Sequence, residues 1–185
     1  IMLSIQDFEE EKPIKDYEKQ GKAVKMMINY ALSNNIKMEN LNKRIDVIFA
    51  SQISVEDKLQ KVCQLLSDEI EHYNWVGFYF KNGDKNELKL GPYVGAETDH
   101  TIIPYGKGIC GQVAESNETF IVPDVYAQDN YLACSIETKA EIVMPIFKNG
   151  ENIGQIDIDS HTIDPFTDAD TKLLEYICNK VSEII

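Results

Sequence analysis

The chain has 185 residues, an ordinary apolar fraction of 43% and a formal net charge of -13. That length fits one domain, or one domain with an extension. The acidic balance excludes a nucleic-acid binder, whose phosphate contacts need Lys/Arg patches, and it excludes adsorption to an anionic membrane. No apolar run reaches the ~20 residues that span a bilayer.

The first ten residues lack a basic region followed by an apolar core, so no secretory signal is expected. The four cysteines are then expected as reduced thiols of a cytoplasmic protein. Residues 1–15 are acidic, contain Pro13 and read as a loosely docked arm. Helices are expected over 16–34 and 38–51, from apolar Val24, Met27, Ile28 and Ala31, then Leu41, Ile45, Ile48 and Phe49, with Asn34-Asn35 as the break. Residues 1–53 thus form an N-terminal helical extension, and 54–185 form the domain proper. Ser54-Val55-Glu56-Asp57 is a helix start, and Leu59, Val62, Cys63, Leu66 and Ile70 follow on one face.

From Asn74 the period changes. Strands are expected over 74–80, 87–95 and 101–105, the first two joined through Lys81-Asn82-Gly83-Asp84. A short helix over 111–116 and a strand over 119–125 come next. The strands 141–147 and 152–159 flank Asn149-Gly150, the strongest short hairpin signal. A last helix over 168–185 carries Leu173, Leu174, Ile177, Cys178, Val181 and Ile184. Hairpin-linked strands between helices give an α+β layout. It predicts a mostly antiparallel sheet with helices on one face and a pocket on the other.

Cys63 and Cys178 lie on helical apolar faces and read as core filler. Cys110 and Cys134 sit among glycines, aromatics and carboxylates, where a thiol can ionise and react. Gly106-Lys107-Gly108-Ile109-Cys110-Gly111 matches G-x-G-x-x-G, but no βαβ unit surrounds it, so a nucleotide site is not expected. The run reads instead as a tight loop opening a helix, with Cys110 near the N-terminus, where backbone N–H groups favour a thiolate. Asp157 and Asp159 are two apart on a strand and leave one face. Either that face is solvated, or the acids floor a pocket in which like charge raises one pKa and makes a proton donor. Trp75, the only tryptophan, is either core or a ligand wall. There is no C-x-x-C and no H-E-x-x-H, so no metal site is expected.

Taken together, Asn74-Trp75-Val76-Gly77-Phe78-Tyr79, Leu90-Gly91-Pro92, the Gly106–Gly111 loop, Val122-Pro123-Asp124-Val125, Ala133-Cys134 with Glu141-Ile142-Val143-Met144-Pro145, and Ile156-Asp157-Ile158-Asp159-Ser160 resemble the free methionine-(R)-sulfoxide reductases. These are enzymes built on one GAF domain, and the likeness runs from about residue 55 to the end. It implies a roughly six-stranded antiparallel GAF sheet, often paired as a homodimer. The implied reaction reduces free methionine (R)-sulfoxide to methionine. Electrons come from thioredoxin or another thiol, and no bound cofactor is needed. Cys134 matches the attacking cysteine. Glu141, Asp157 and Asp159 match the substrate-binding acids, Glu141 and Asp159 also supplying the proton, and Trp75 matches the aromatic wall. Cys110 matches a second family cysteine, which would resolve the sulfenic acid. The family commonly carries a third cysteine ten residues before Cys110, used for recycling; here that position is His100. The other readings of the same residues are a GAF sensor of a small ligand and a thiol redox switch.

Overall fold

The computed structural model describes residues 14–127 and 137–185. The arm expected over residues 1–15 therefore falls almost wholly outside the described residues, and so does Cys134. The chain divides into two compact units, Ile1–Leu41 and Asn42–Ile185. In the first, the described residues belong to helix α1, Ile14–Ala50, which exposes Val24, Met27, Ile28, Leu32 and Ile36. The break expected at Asn34-Asn35 does not occur, and α1 is one helix. Asparagine is only a few tenths of a kcal/mol poorer in a helix than most residues, and no proline forces a stop.

In the second unit α2, Val55–Glu69, starts at Ser54, whose Oγ accepts the Asp57 amide at 3.1 Å. The strands are β1 Trp75–Lys81, β2 Glu87–Val94, β3 Ile102–Pro104, β4 Phe120–Val122, β5 Ala140–Lys148 and β6 Glu151–Ser160. Helix α3, Gly108–Ser116, lies between β3 and β4, and α4, Asp168–Ile184, ends the chain. The strand expected over 119–125 stops at Val122, because Pro123 brings no amide to a ladder; Val125–Ala127 is a 3-10 turn.

All six strands pair antiparallel in the order β3-β2-β1-β6-β5-β4. This is the expected sheet. Strand alternation gives it two unlike faces. Val76, Phe78, Ile142, Ile156 and Ile158 form one face and are fully buried. Helices α2 and α4 cover it, with Leu59, Val62, Leu66, Leu173, Leu174 and Ile177 as their buried stripe. The other face carries Trp75, Gly77, Tyr79, Glu141, Val143, Asp157 and Asp159. Helix α3 packs there, and Ile109, Cys110, Val113 and Ala114 join Trp75, Tyr79 and Val143 in a second apolar cluster.

Two local devices set the registers that matter. Asn149 (φ 53°) and Gly150 (φ 84°) are both left-handed, as a two-residue hairpin turn of matching twist requires. Counting back from that turn, Lys148 pairs with Glu151 and Phe147 with Asn152, but Ile146 pairs with Gly154. Ile153 is therefore a one-residue bulge in β6. Its effect is to shift every later pair by one. Glu141 consequently meets Asp159 rather than Ile158, and it joins the acidic face instead of the apolar one.

The start of α4 is tied to the start of β1 through Asp170. Its carboxylate closes a capping box with Thr167 and accepts the Tyr73 hydroxyl at 2.9 Å; His72 Nε2 lies at 3.1 Å. Burial alone would raise the pKa of Asp170, but hydrogen bonds from His72, Thr167 and Tyr73 outweigh it and hold the carboxyl at about 2.

Candidate active site

The acidic face is built by three adjacent strands. β6 supplies Asp157 and Asp159 at alternate positions. β5 supplies Glu141 opposite Asp159, and β1 supplies Trp75 opposite Asp159 and Gly77 opposite Asp157. The three carboxyls are 1–3% exposed. A solvated face is thereby excluded. Burial pushes Asp157 up to about 7, against a smaller lowering by the Cys110 thiol. Burial also raises Glu141 well above the carboxylate range, followed by the charges of Asp157 and Asp159. Asp159 is raised by burial and then by Asp157. At neutral pH the group therefore holds protons that an exposed carboxylate would have lost.

Cys110 meets these acids from above. The sequence placed it just before a helix; the helix starts three residues earlier, at Gly108, and includes it in the first turn. Gly106 (φ 77°) and Gly108 (φ 62°) turn the chain into α3, and a Cβ on Gly111 would lie 2.5 Å from the Pro104 carbonyl oxygen. The glycine spacing serves this turn. Cys110 is 4% exposed, as buried as Cys63 and Cys178, so its polar neighbours do not open it to solvent. What separates it from those two is its partner: Cys110 Sγ donates to Asp157 Oδ2 at 3.2 Å. Burial pushes the Cys178 thiol up to about 12 and raises Cys63 as well, which suits inert core thiols.

Trp75 lies flat on glycine. A Cβ on Gly77 would fall 2.2 Å from Trp75 Cη2, and one on Gly95 would fall 2.4 Å from Cδ1. The indole stacks on Tyr93 with centroids 5.3 Å apart, and its Nε1–H donates to the Ala96 carbonyl at 3.1 Å. A small cavity of about 50 Å³ opens beside it, lined by Asn74, Trp75, Ala96, Glu137, Thr138, Asp159 and His161. Thr138 Oγ1 and Asp159 Oδ1 are buried, and each lacks a hydrogen-bond partner among the described residues. A larger concavity of about 510 Å³ lies between the end of α1 and α2, lined by residues such as Arg44, Val47, Gln64 and Leu65. It gathers no cluster of ionisable groups of the buried kind and lies on the helix-covered side of the sheet, away from the acids.

A GAF domain family model matches residues 52–185. A free methionine-R-sulfoxide reductase of Escherichia coli (strain K12) is 31% identical over 146 residues, 79% of this chain and 87% of the relative. The chain belongs to the free methionine-R-sulfoxide reductase family of GAF domains. A solved free methionine-R-sulfoxide reductase of Neisseria meningitidis, in complex with its substrate, superposes with a TM-score of 0.74 at 30% identity, covering 80% of this chain and 87% of that one. "GAF domain-containing protein A" of Dictyostelium discoideum is 35% identical over 145 residues, 78% of this chain and 90% of the relative.

Within this family member, the fold brings Cys110, Glu141, Asp157, Asp159 and Trp75 into one buried region. Cys134 lies outside the described residues. His100 sits between β2 and β3; its amide donates to Thr98 Oγ1 and its carbonyl accepts the Tyr79 hydroxyl at 3.1 Å. Sequence reasoning missed Thr138 and Asn74 as cavity lining. Thr138 stands in no pattern, and Asn74, although it opens the Asn74–Tyr79 block, was given no role; only the cavity makes either notable.

Proposed function

We propose that this chain reduces the R epimer of free methionine sulfoxide to methionine through a sulfenic acid on Cys134. The observation that carries the reading is the trio of buried, proton-holding acids beside Trp75. Breaking an S–O bond needs the oxygen protonated as it leaves, and a buried carboxyl of raised pKa is a suitable acid. The family membership and the substrate complex of the Neisseria relative support the same assignment.

In this reading Trp75 receives the S-methyl end of the substrate. Glu141 and Asp159 hold the sulfoxide oxygen and deliver a proton. Asp157 orients the substrate ammonium, and the Thr138 hydroxyl beside Asp159, without a partner among the described residues, offers one more hydrogen bond. The Cys134 thiolate attacks the sulfoxide sulfur. The oxygen passes to Cys134 with the donated proton, giving Cys134 sulfenic acid, and the sulfur leaves as methionine. Cys110 then condenses with the sulfenic acid, forming a disulfide and releasing water. Asp157, 3.2 Å from the Cys110 thiol, is the group that takes its proton. A dithiol such as thioredoxin, or a small thiol, reduces the disulfide. His100 stands where the family's usual recycling cysteine would be, so Cys110 carries the resolving role here. The enzyme works in the cytoplasm as a homodimer, with residues 1–53 as an extension of the catalytic GAF domain.

The deciding experiment measures methionine formed from each sulfoxide epimer with dithiothreitol, for the parent and for Cys134→Ser. The parent is expected to consume only the R epimer, and the variant neither. A parent inactive on both epimers refutes the reductase reading. Thioredoxin-coupled turnover of Cys110→Ser tests resolution: undiminished turnover removes Cys110 from the cycle.

A further inference from the structure

We propose that Cys110, Glu141 and Asp157 form a binding site for Zn²⁺, a thiophilic divalent cation. One ligand atom from each residue lies within 4.8 Å of the other two, and all three side chains are buried. The Cys110 Sγ to Asp157 Oδ2 separation of 3.2 Å must open by only about 0.4 Å to reach the ~3.6 Å edge of a tetrahedron with Zn–S about 2.3 Å and Zn–O about 2.0–2.2 Å. The Glu141 carboxylate, whose ligand atom lies within 4.8 Å of both, would have to draw in to take the third corner. Sequence spacing could not show this group, because its members come from α3, β5 and β6.

A second observation points to a cation. Asp157 Oδ1 and Asp159 Oδ1 are buried and have no hydrogen-bond partner among the described residues. None of the ion pairs among the described residues involves Glu141, Asp157 or Asp159. Buried carboxylates without a partner are costly. Protons neutralise them in the metal-free chain; Zn²⁺ in their place would leave its thiolate and two carboxylate ligands with one net negative charge instead of three. One thiolate with two carboxylates selects zinc over magnesium or calcium, which take oxygen-only shells. On binding, Zn²⁺ replaces the Cys110 thiol proton and any carboxyl protons, which leave to solvent. Three protein ligands leave a fourth position open, and Asp159 stands next to it on the same face. The binding stands independently of the reductase reading. Its consequence, competition with sulfoxide for Glu141 and Asp157, rests on that reading.

The test uses the full reduced chain. Equilibrium dialysis is expected to give one Zn²⁺ per chain, and Cd²⁺ to give thiolate charge-transfer absorption in the ultraviolet. Cys110→Ser is expected to abolish that absorption and to weaken Zn²⁺ binding by more than the ~10–100-fold that loss of an outer-shell partner costs. Glu141→Gln and Asp157→Asn should weaken it similarly, and Cys134→Ser should keep both stoichiometry and absorption. Zinc-edge absorption spectroscopy of the unsubstituted chain, which needs no variant to fold, should show a shell of one sulfur with oxygens. No bound zinc, a shell with no sulfur or several, parental binding by Cys110→Ser, or loss of the band in Cys134→Ser each overturns the proposal. Zinc that binds as described to a chain inactive on both sulfoxide epimers leaves the site standing and refutes only the reductase.

Discussion

Replacing Gly77 by alanine tests the Trp75 wall without touching any ionisable group. The added Cβ would stand 2.2 Å from Trp75 Cη2, 2.5 Å from Cζ3 and 3.0 Å from Tyr93 Cβ. Real carbons do not approach that closely, so the indole must leave its seat. Overpacking of this kind costs about 1–3 kcal/mol. The Nε1 hydrogen bond to Ala96, at 3.1 Å, is lost with the movement, at about 1 kcal/mol more. The sum, ~2–4 kcal/mol, should lower Tm by roughly 4–16 °C for a domain of this size. Trp75 is the only tryptophan, so its fluorescence reports the displaced ring directly and should shift toward that of a more solvated indole. If the ring holds the S-methyl group, KM for the sulfoxide should rise roughly tenfold, about 1.4 kcal/mol, with kcat changing less. Adding Trp75→Leu should recover most of the stability lost to Gly77→Ala but not the KM, because the shorter side chain frees the space without restoring the wall. A Gly77→Ala protein with parental fluorescence, Tm and KM would refute both the packing argument and the assigned wall.

Glu141→Gln should cost at least ~10²-fold in kcat at unchanged fold, the ordinary worth of a general acid; epimer-specific turnover with dithiothreitol measures it. Asp157 should make stability depend on pH. Its carboxyl titrates near 3.8 when unfolded and near 7 when folded, so its contribution is complete below about pH 4 and is lost as pH rises through 7. Denaturant unfolding at pH 5 and pH 8 should differ by a few kcal/mol, and Asp157→Asn should flatten that slope. Asp170 acts in the opposite sense: its carboxyl falls from 3.8 to about 2 on folding, so its contribution is present above pH 4 and lost toward pH 2. Asp170→Ala should destabilise by about 2–4 kcal/mol in urea unfolding, through the lost cap and the orphaned Tyr73 hydroxyl.

Much of this architecture is local and therefore legible from the chain. Ser54 announces α2, Asn149-Gly150 announces the last hairpin, and the two-residue spacing of Asp157 and Asp159 puts both on one face. The α1 break failed because two asparagines signal a turn only weakly when no glycine or proline reinforces them. The resemblance named Glu141 beside Asp157 and Asp159, but the hairpin signal alone would have turned it the other way. A regular ladder from Asn149-Gly150 would pair it with Ile158 and turn it into the apolar core; the Ile153 bulge turns it toward Asp159. The burial of Cys110 was not legible, because its glycines look like an open loop. Here their lack of side chains lets α3 press against Pro104, which buries the thiol.

The pairing of β1 with β6 has a bearing on how the chain folds. Each hairpin, β1 with β2 and β5 with β6, can close from nearby residues, whereas the β1–β6 seam joins segments far apart in sequence and must wait for that long loop to close. Trp75 reaches Asp159 only across this seam, while Glu141 and Asp159 already face each other within the later hairpin. The nascent hairpin can therefore keep its acids hydrated until docking dehydrates them, and the ionic state of the acids at that moment should weigh on the docking step. Refolding should accordingly slow as the medium becomes more alkaline, with Asp157→Asn relieving the delay in stopped-flow traces.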